Sequence, residues 1–284
     1  MTGTEVPEEL GDFRGESFQK GYAAADVDQE LAGLVFVLDV QESMPSVARL
    51  RDWSLAMLDP QPGETAVDVG CGTGAEARRM ASLVGESGRT VGVEPHPGLR
   101  AVAMERAADE GSPAEFVDGD AVALPFDDAS VDVIRCERVF QHLPDPQGAA
   151  NEMARVLRPG GRVVIIDSDW ETAVTRPGDP DVQRRLNEAT MRRTPNPRAG
   201  RDLRTQLQRA GLVTEPDIGS TAVVFPDFLL ADPTMLRINT NLAVEEGAVT
   251  ADEAELLIDE VVAAAAVGEA FFAVTMFAVV GRQR

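Results

Sequence analysis

Several residue types are scarce in this 284-residue chain, and each scarcity excludes something. Lys20 is the only lysine and Tyr22 the only tyrosine, so the Tyr-x-x-x-Lys pair of NAD(P)-dependent oxidoreductases is missing. Cys71 and Cys136 are the only cysteines; each falls in an expected core or site segment, and no disulfide framework is implied. Basic residues number 26 against 48 acidic ones, a net charge of −22. Binding a long phosphate backbone is driven by Lys and Arg neutralising phosphates, so nucleic acid is not an expected partner. No apolar run reaches the roughly 18–20 residues of a membrane span, and the first residues lack a signal-peptide pattern. The expectation is a soluble, cytoplasmic protein without a membrane partner.

What is present is a regular alternation. Residues 1–25 read as a polar, glycine-bearing tail. Val27, Leu31, Leu34, Val35 and Leu38 recur at helical spacing over 26–40, and a second helix is expected over 45–58. The run Leu34–Leu38 is more apolar than a surface helix needs; it either packs on the main sheet or forms a lid. Pro60-Gln61-Pro62-Gly63 breaks the chain. Strands at 65–69, 90–94, 114–118, 131–136 and 162–167 then alternate with helices at 75–84, 97–110 and 147–157, as in a parallel sheet covered on both faces. Helices are expected at 179–193, 201–210, 232–246 and 251–266, short strands at 212–218 and 221–225, and a strong apolar strand at 270–280.

The organising stretch is Val67-Asp68-Val69-Gly70-Cys71-Gly72-Thr73-Gly74-Ala75. A buried strand runs into glycines that allow positive φ and close ligand approach, and the following helix aims its N-terminal N–H groups at that ligand. Gly70-x-Gly72-x-x-Ala75 with Glu94 at the end of the next strand also fits a dinucleotide site. The wider pattern, with Asp68 two residues before the first glycine, resembles motif I (D/E-x-G-x-G-x-G) of class I S-adenosylmethionine-dependent methyltransferases. Leu124-Pro125-Phe126, Asp132-Val133-Ile134, His142-Leu143 and Arg155-Val156-Leu157-Arg158-Pro159-Gly160-Gly161 follow in order. With them, residues 45–281 look like the ubiquinone/menaquinone-biosynthesis type of small-molecule methyltransferase.

The resemblance implies an α/β, Rossmann-like, seven-stranded, mostly parallel sheet with an antiparallel last strand. Residues 1–58 would be a helical extension or lid. Residues 59–284 would be the cofactor-binding domain, carrying a helical insertion at 226–268. S-adenosyl-L-methionine is the implied cofactor, held by Asp68, Gly70, Cys71, Gly72, Gly74, Glu94, Pro95, Asp120, Ala121 and Cys136. In that set Glu94 would accept from the ribose hydroxyls, and Asp120-Ala121 would form the adenine turn.

Methyl transfer needs little beyond positioning, and a base only when the acceptor is protonated. His142 is the leading base, with His96 weaker, and Glu171 is a second catalytic candidate. Phe36, Met44, Glu137, Arg138, Phe140 and Trp170, with Phe225 and Phe228, are candidate substrate contacts. Asp169, Trp170 and Glu171 would hold a cationic acceptor through cation–π and charge contacts, or their carboxylates would ligate magnesium; no metal is the expectation carried forward. Arg192, Arg193, Arg198 and Arg201 read as a solvated face or as an anion contact. The expected partner is a small molecule, and the assembly a monomer or homodimer. A cyclase or rearrangement catalyst that binds the same cofactor, a silent binding module and an NAD(P)-dependent oxidoreductase are the alternatives.

Overall fold

The computed structural model describes residues 27–284; the expected tail at 1–25, with Lys20 and Tyr22, lies outside the described residues. Two helices lead in, α1 (Val27–Ser43) and α2 (Pro45–Leu58). Pro45 fits the first turn of α2, and Asp59 in left-handed conformation ends it. No single helix among the described residues is long and apolar enough to cross a membrane; α1 and α2 pass that test only as a pair bent by 75°.

Five strands and three helices follow: β1 (Thr65–Val69), α3 (Ala75–Val84), β2 (Arg89–Val93), α4 (Pro97–Glu110), β3 (Glu115–Val117), β4 (Val131–Glu137), α5 (Pro146–Val156) and β5 (Leu157–Arg176). Pairing is parallel along β3-β2-β1-β4-β5. Helices α6 (Pro180–Arg193) and α7 (Ala199–Arg209) precede β6 (Val213–Thr214) and β7 (Gly219–Val224). Three more, α8 (Asp227–Leu230), α9 (Pro233–Glu245) and α10 (Ala251–Ala265), lead to β8 (Phe271–Arg282).

β8 runs antiparallel to β5, from Arg162↔Arg282 to Arg176↔Phe271 with an irregularity between Asp169 and Val174. That partner explains why β5 extends to residue 176 instead of stopping at 167: beyond Asp167 the sequence is polar, and only the pairing keeps it extended. β6 pairs with Arg282 and Gly281, and β7 with residues 273–278 of the same strand. The two are successive pieces of one edge, so eight strands occupy seven positions, and the sheet is the mostly parallel one expected.

Each sheet face carries a core. Val67, Val69, Ile134, Cys136, Val163 and Ile165 face α5 and α7. Ala66, Val133, Val164 and Ile166 face α2 and α3 through Leu50, Leu58 and Met80. Helices α9 and α10 pack with α6 around Ala189, Leu230, Ala243, Leu257 and Val261. Fully burying one such aliphatic side chain is worth about 1.5–3 kcal/mol, so these faces fix the strand register and hence the site.

Candidate active site

Three glycines shape the turn after β1. Gly70, Gly72 and Gly74 all have positive φ, +69°, +55° and +77°. A Cβ on Gly70 would lie 2.3 Å from Val139 Cγ2, and one on Gly74 2.6 Å from Phe116 Cε1. At Gly72 the nearest atom is Leu38 Cδ1 of α1, 3.1 Å away. The loop is a cradle that side chains would fill, with α1 laid across it. Leu34 of α1 is buried against Leu99 of α4, and Arg106 holds Asp39 by two hydrogen bonds of 2.6 and 2.8 Å.

Glu94, at the end of β2, is 3% exposed. Its Oε2 accepts from Gly72 N at 2.9 Å and its Oε1 from His96 N at 2.9 Å. Burial pushes its pKa up. A carboxylate has about four acceptor positions, so each oxygen keeps one for a ribose hydroxyl. His96 caps α4: its Nδ1 accepts from Gly98 N and Leu99 N at 3.1 and 3.2 Å. Asp120 is exposed, with Oδ1 accepting from Val122 N at 3.1 Å, while Ala121 beside it is buried. Burial raises both thiols, Cys71 and Cys136, well above their ordinary range, and both are free.

Beneath the loop lies a cluster of charge that sequence reading missed. Asp68, Glu76, Glu137, Arg51 and Arg135 are each at most 9% exposed. Arg51 donates to both oxygens of Glu137, at 2.9 and 3.0 Å, and Arg135 also pairs with Glu137. Arg135 lies 3.5 Å from both Asp68 and Glu76, and Arg138 is 3.1 Å from Glu137. Burial would raise Glu137, but Arg51, Arg135 and Arg138 outweigh it and hold the carboxyl well below the usual range. Asp68, less well compensated, is pushed by burial up to about 7. The signal was present: an arginine in a central strand that is otherwise apolar has to find buried partners.

At the ends of β4 and β5 a short helical turn, Phe140–His142, is clamped from two sides. Asp167 accepts from Gln141 N at 3.1 Å and from Ser168 N at 2.7 Å. Asn196 donates to the carbonyls of Phe140 and Leu143, and its own N donates to Gln141 O at 3.0 Å. Trp170 Nε1 donates to Gln141 Oε1 at 2.7 Å. His142 ends this turn, half-buried. Burial pushes the Asp167 carboxyl up to about 7.

The sequence-predicted substrate residues divide. Phe36, Met44 and Trp170 meet Phe225 and Phe228 in one apolar cluster on the α2 face. Phe140 belongs instead to the opposite core, fully buried against α5 and α7, and so does Cys136; neither side chain lines the mouth. Glu137 is a structural anion. Glu171 is exposed and engaged by Arg198, at 3.1 and 2.9 Å, and by Arg201 at 2.6 Å. These bonds from the two arginines occupy its oxygens and hold its carboxyl below the usual range. Arg201 also pairs with Asp169, and Arg192 and Arg193 pair with Glu246. The arginine run is therefore a neutralised surface. Two surface cavities, of 270 and 390 Å³, are lined by no residue of the glycine loop. Among the described residues no group of three His, Cys, Asp or Glu side chains is placed to hold a metal ion.

Comparison with known proteins agrees with this fold. A methyltransferase domain family model matches residues 67–165. The chain is 34% identical over 251 residues to an uncharacterized 37.1 kDa protein of the Streptomyces fradiae transposon Tn4556, covering 87% of this chain and 71% of that one. Over 138 residues it is 33% identical to demethylmenaquinone methyltransferase of Shouchella clausii, covering 47% of this chain and 59% of that enzyme, so it spans less than two thirds of that relative. A putative methyltransferase structure from Bacillus halodurans shares the fold, with TM-score 0.58 at 18% identity, over 82% of this chain and 98% of that one. The chain belongs to the class I S-adenosylmethionine-dependent methyltransferases. Its cofactor is S-adenosylmethionine, which the glycine cradle and the acceptor positions left on Glu94 fit.

Proposed function

We propose that the chain methylates oxygen, nitrogen or carbon of a small, largely apolar metabolite. The observation that carries this is the set of partly buried aromatics Phe36, Trp170, Phe225 and Phe228 that pack, with buried Met44 between α1 and α2, against the core on the α2 face. Small-molecule pockets are lined in this way, with few polar groups to set orientation.

In this reading α1 is a lid on the glycine loop, α2 packs on the sheet, and residues 59–284 bind the cofactor and carry an insertion at 226–268. Asp68, Gly70, Cys71, Gly72 and Gly74 hold one end of the cofactor; Glu94, Pro95, Asp120 and Ala121 hold the other. Cys136 contributes only through its backbone. The bound cofactor supplies an activated sulfonium methyl donor. The chain's own part is to orient the acceptor, exclude water and accept a proton. Trp170, pinned by Gln141, supplies a fixed apolar wall. His142, on the turn that Asp167 and Asn196 clamp, is the base when the acceptor is a hydroxyl.

Calorimetric titration with S-adenosylmethionine, S-adenosylhomocysteine and NAD⁺, followed by an acceptor screen scored by S-adenosylhomocysteine release, tests this. Binding of the first two and turnover of apolar acceptors is the expected result. Turnover confined to large polar or macromolecular acceptors would refute it. His142→Ala should slow transfer to a hydroxyl acceptor by about 10²-fold, and an unchanged rate would leave His142 as a packing residue.

A further inference from the structure

We propose that Arg138 selects acceptors bearing an acidic oxygen, a carboxylate or an ionised phenol or enol, next to their apolar body. This rests on the small apolar acceptor argued above and names the group by which it is recognised.

Three observations carry it. The first is position. Arg138 is the first residue after β4, with its N–H donating to Ile166 O at 2.8 Å and its neighbour Val139 packed on Gly70. It stands between the glycine loop and the end of β5, where an open α/β sheet binds ligands. The second is backbone. Arg138 has φ +56°, and the other non-glycine residues with positive φ among those described, Asp59 and Ala129, precede strands β1 and β4. Such a conformation costs on the order of 1–3 kcal/mol and persists at sites where the surroundings demand it.

The third is charge. Among the described residues the one ion pair of Arg138 is with Glu137; the buried Asp167 carboxyl acts on its charge from further off. That carboxylate already receives two hydrogen bonds from Arg51 and one from Arg135. Asp68 lies against Arg135, and Glu76 against Arg135, Arg51 and Arg79, so none of these carboxylates is left for Arg138. Three guanidiniums thus converge on one carboxylate, and the Arg138 side chain is only 13% exposed. A guanidinium carries five donors in a fork that matches a carboxylate, and this one has a fraction of a partner. Bulk attraction cannot be the source of anion binding in a chain of net charge −22, so recognition has to come from a local, undercompensated cation. The surface arginines at 192, 193, 198 and 201 all have acidic partners of their own. Arg51, which shares Glu137, sits on α2, whose Val47 and Leu50 pack in the same cluster as Phe36 and Trp170. The cation and the apolar wall therefore share one face and one end of the sheet.

The test uses the full chain saturated with S-adenosylhomocysteine and two probes of equal shape, 1-naphthoate and 1-naphthamide, titrated calorimetrically. The naphthoate should bind about tenfold or more tightly, the worth of one charge-assisted fork. Arg138→Gln should reduce that ratio to within about twofold, and Arg138→Lys should keep part of it. S-adenosylhomocysteine affinity should be unchanged in both variants. Equal affinities in the unsubstituted chain overturn the proposal whatever the variants do, and so does a preference that survives in Arg138→Gln. If the amide binds and the carboxylate binds no better, Arg138 fails alone and the apolar acceptor stands. If neither probe binds, the apolar-acceptor reading falls and takes this one with it.

Discussion

Asp167 offers a sharp test of how this site is built. Its carboxyl is fully buried and pushed by burial up to about 7, with hydrogen bonds from Ser168 N and Gln141 N and the charge of Arg138 acting the other way. A carboxyl whose folded pKa is raised holds a proton that the unfolded chain releases. Its contribution to stability is fully present below the unfolded value of about 3.9 and is lost as pH rises to the folded value. Between pH 5 and 7 that loss is about 1.4 kcal/mol per pH unit, or about 3 kcal/mol, and it levels off above 7. Asp167→Asn removes the titration. The amide opposes a backbone N–H with its own NH₂, which costs about 1–3 kcal/mol at every pH. Arg138 and the Cys136 thiol, both coupled to it, keep their state across this range: the thiol is raised further by burial, and a guanidinium stays protonated; Asp68, also raised to about 7, is present in both proteins and drops out of their difference. The pH-dependent part of the difference therefore belongs to Asp167. Urea unfolding of both proteins at pH 5, 6, 7 and 8 should show the variant gaining about 3 kcal/mol on the unsubstituted chain from pH 5 to 8. A difference flat over that range would mean that the carboxyl titrates near its ordinary value, and that the clamp on the His142 turn is a solvated contact.

Gly72→Val puts a branched side chain on a backbone of φ +55° and brings its Cβ to 3.1 Å from Leu38; S-adenosylmethionine binding should vanish while the circular dichroism spectrum stays folded, and retained binding would move the cofactor elsewhere. Arg135→Met strands Asp68, while Glu76 keeps Arg79 and Arg51, and breaking such a buried pair should cost about 3–5 kcal/mol by urea titration at pH 8; a cost under about 1 kcal/mol would show that Asp68 does not rely on Arg135. Leu34→Ala, at a position 0% exposed and packed on Leu99, should cost about 2–5 kcal/mol if α1 is integral to the fold. Unfolding in two steps, with α1 released first, would be the contrary result.

Much of this was legible because punctuation and periodicity are local. Pro45, Pro97, Gly85 and Gly111 bound their helices where the sequence says they should, and the glycine loop is a contiguous motif. The charge cluster was not legible, since Arg51 meets Glu137 across 86 residues of chain and no local pattern encodes that meeting. The length of β5 was hidden for the same reason, being set by β8 a hundred residues later. The split of the aromatics was hidden too: Phe140 and Trp170 look alike in sequence, but one turn of chain sends them to opposite faces.

One long-range feature nevertheless leaves a trace in four of the parallel strands. β1 passes from Ala66 and Val67 to Asp68, and β2 from Val91 and Val93 to Glu94. β4 runs from Val133 and Ile134 to Arg135 and Glu137, and β5 from Ile165 and Ile166 to Asp167. All four carry a buried ionisable residue where their parallel pairing ends, although Asp132 and Arg162, also buried, stand at the opposite ends of β4 and β5. Packing alone does not ask for this, because well-packed apolar replacements of a buried ion pair are often neutral or stabilising by about 1–4 kcal/mol. The polar ends are retained against that gradient, and β4, with Asp132, Arg135 and Glu137 in seven residues, is the strand that Arg138 follows.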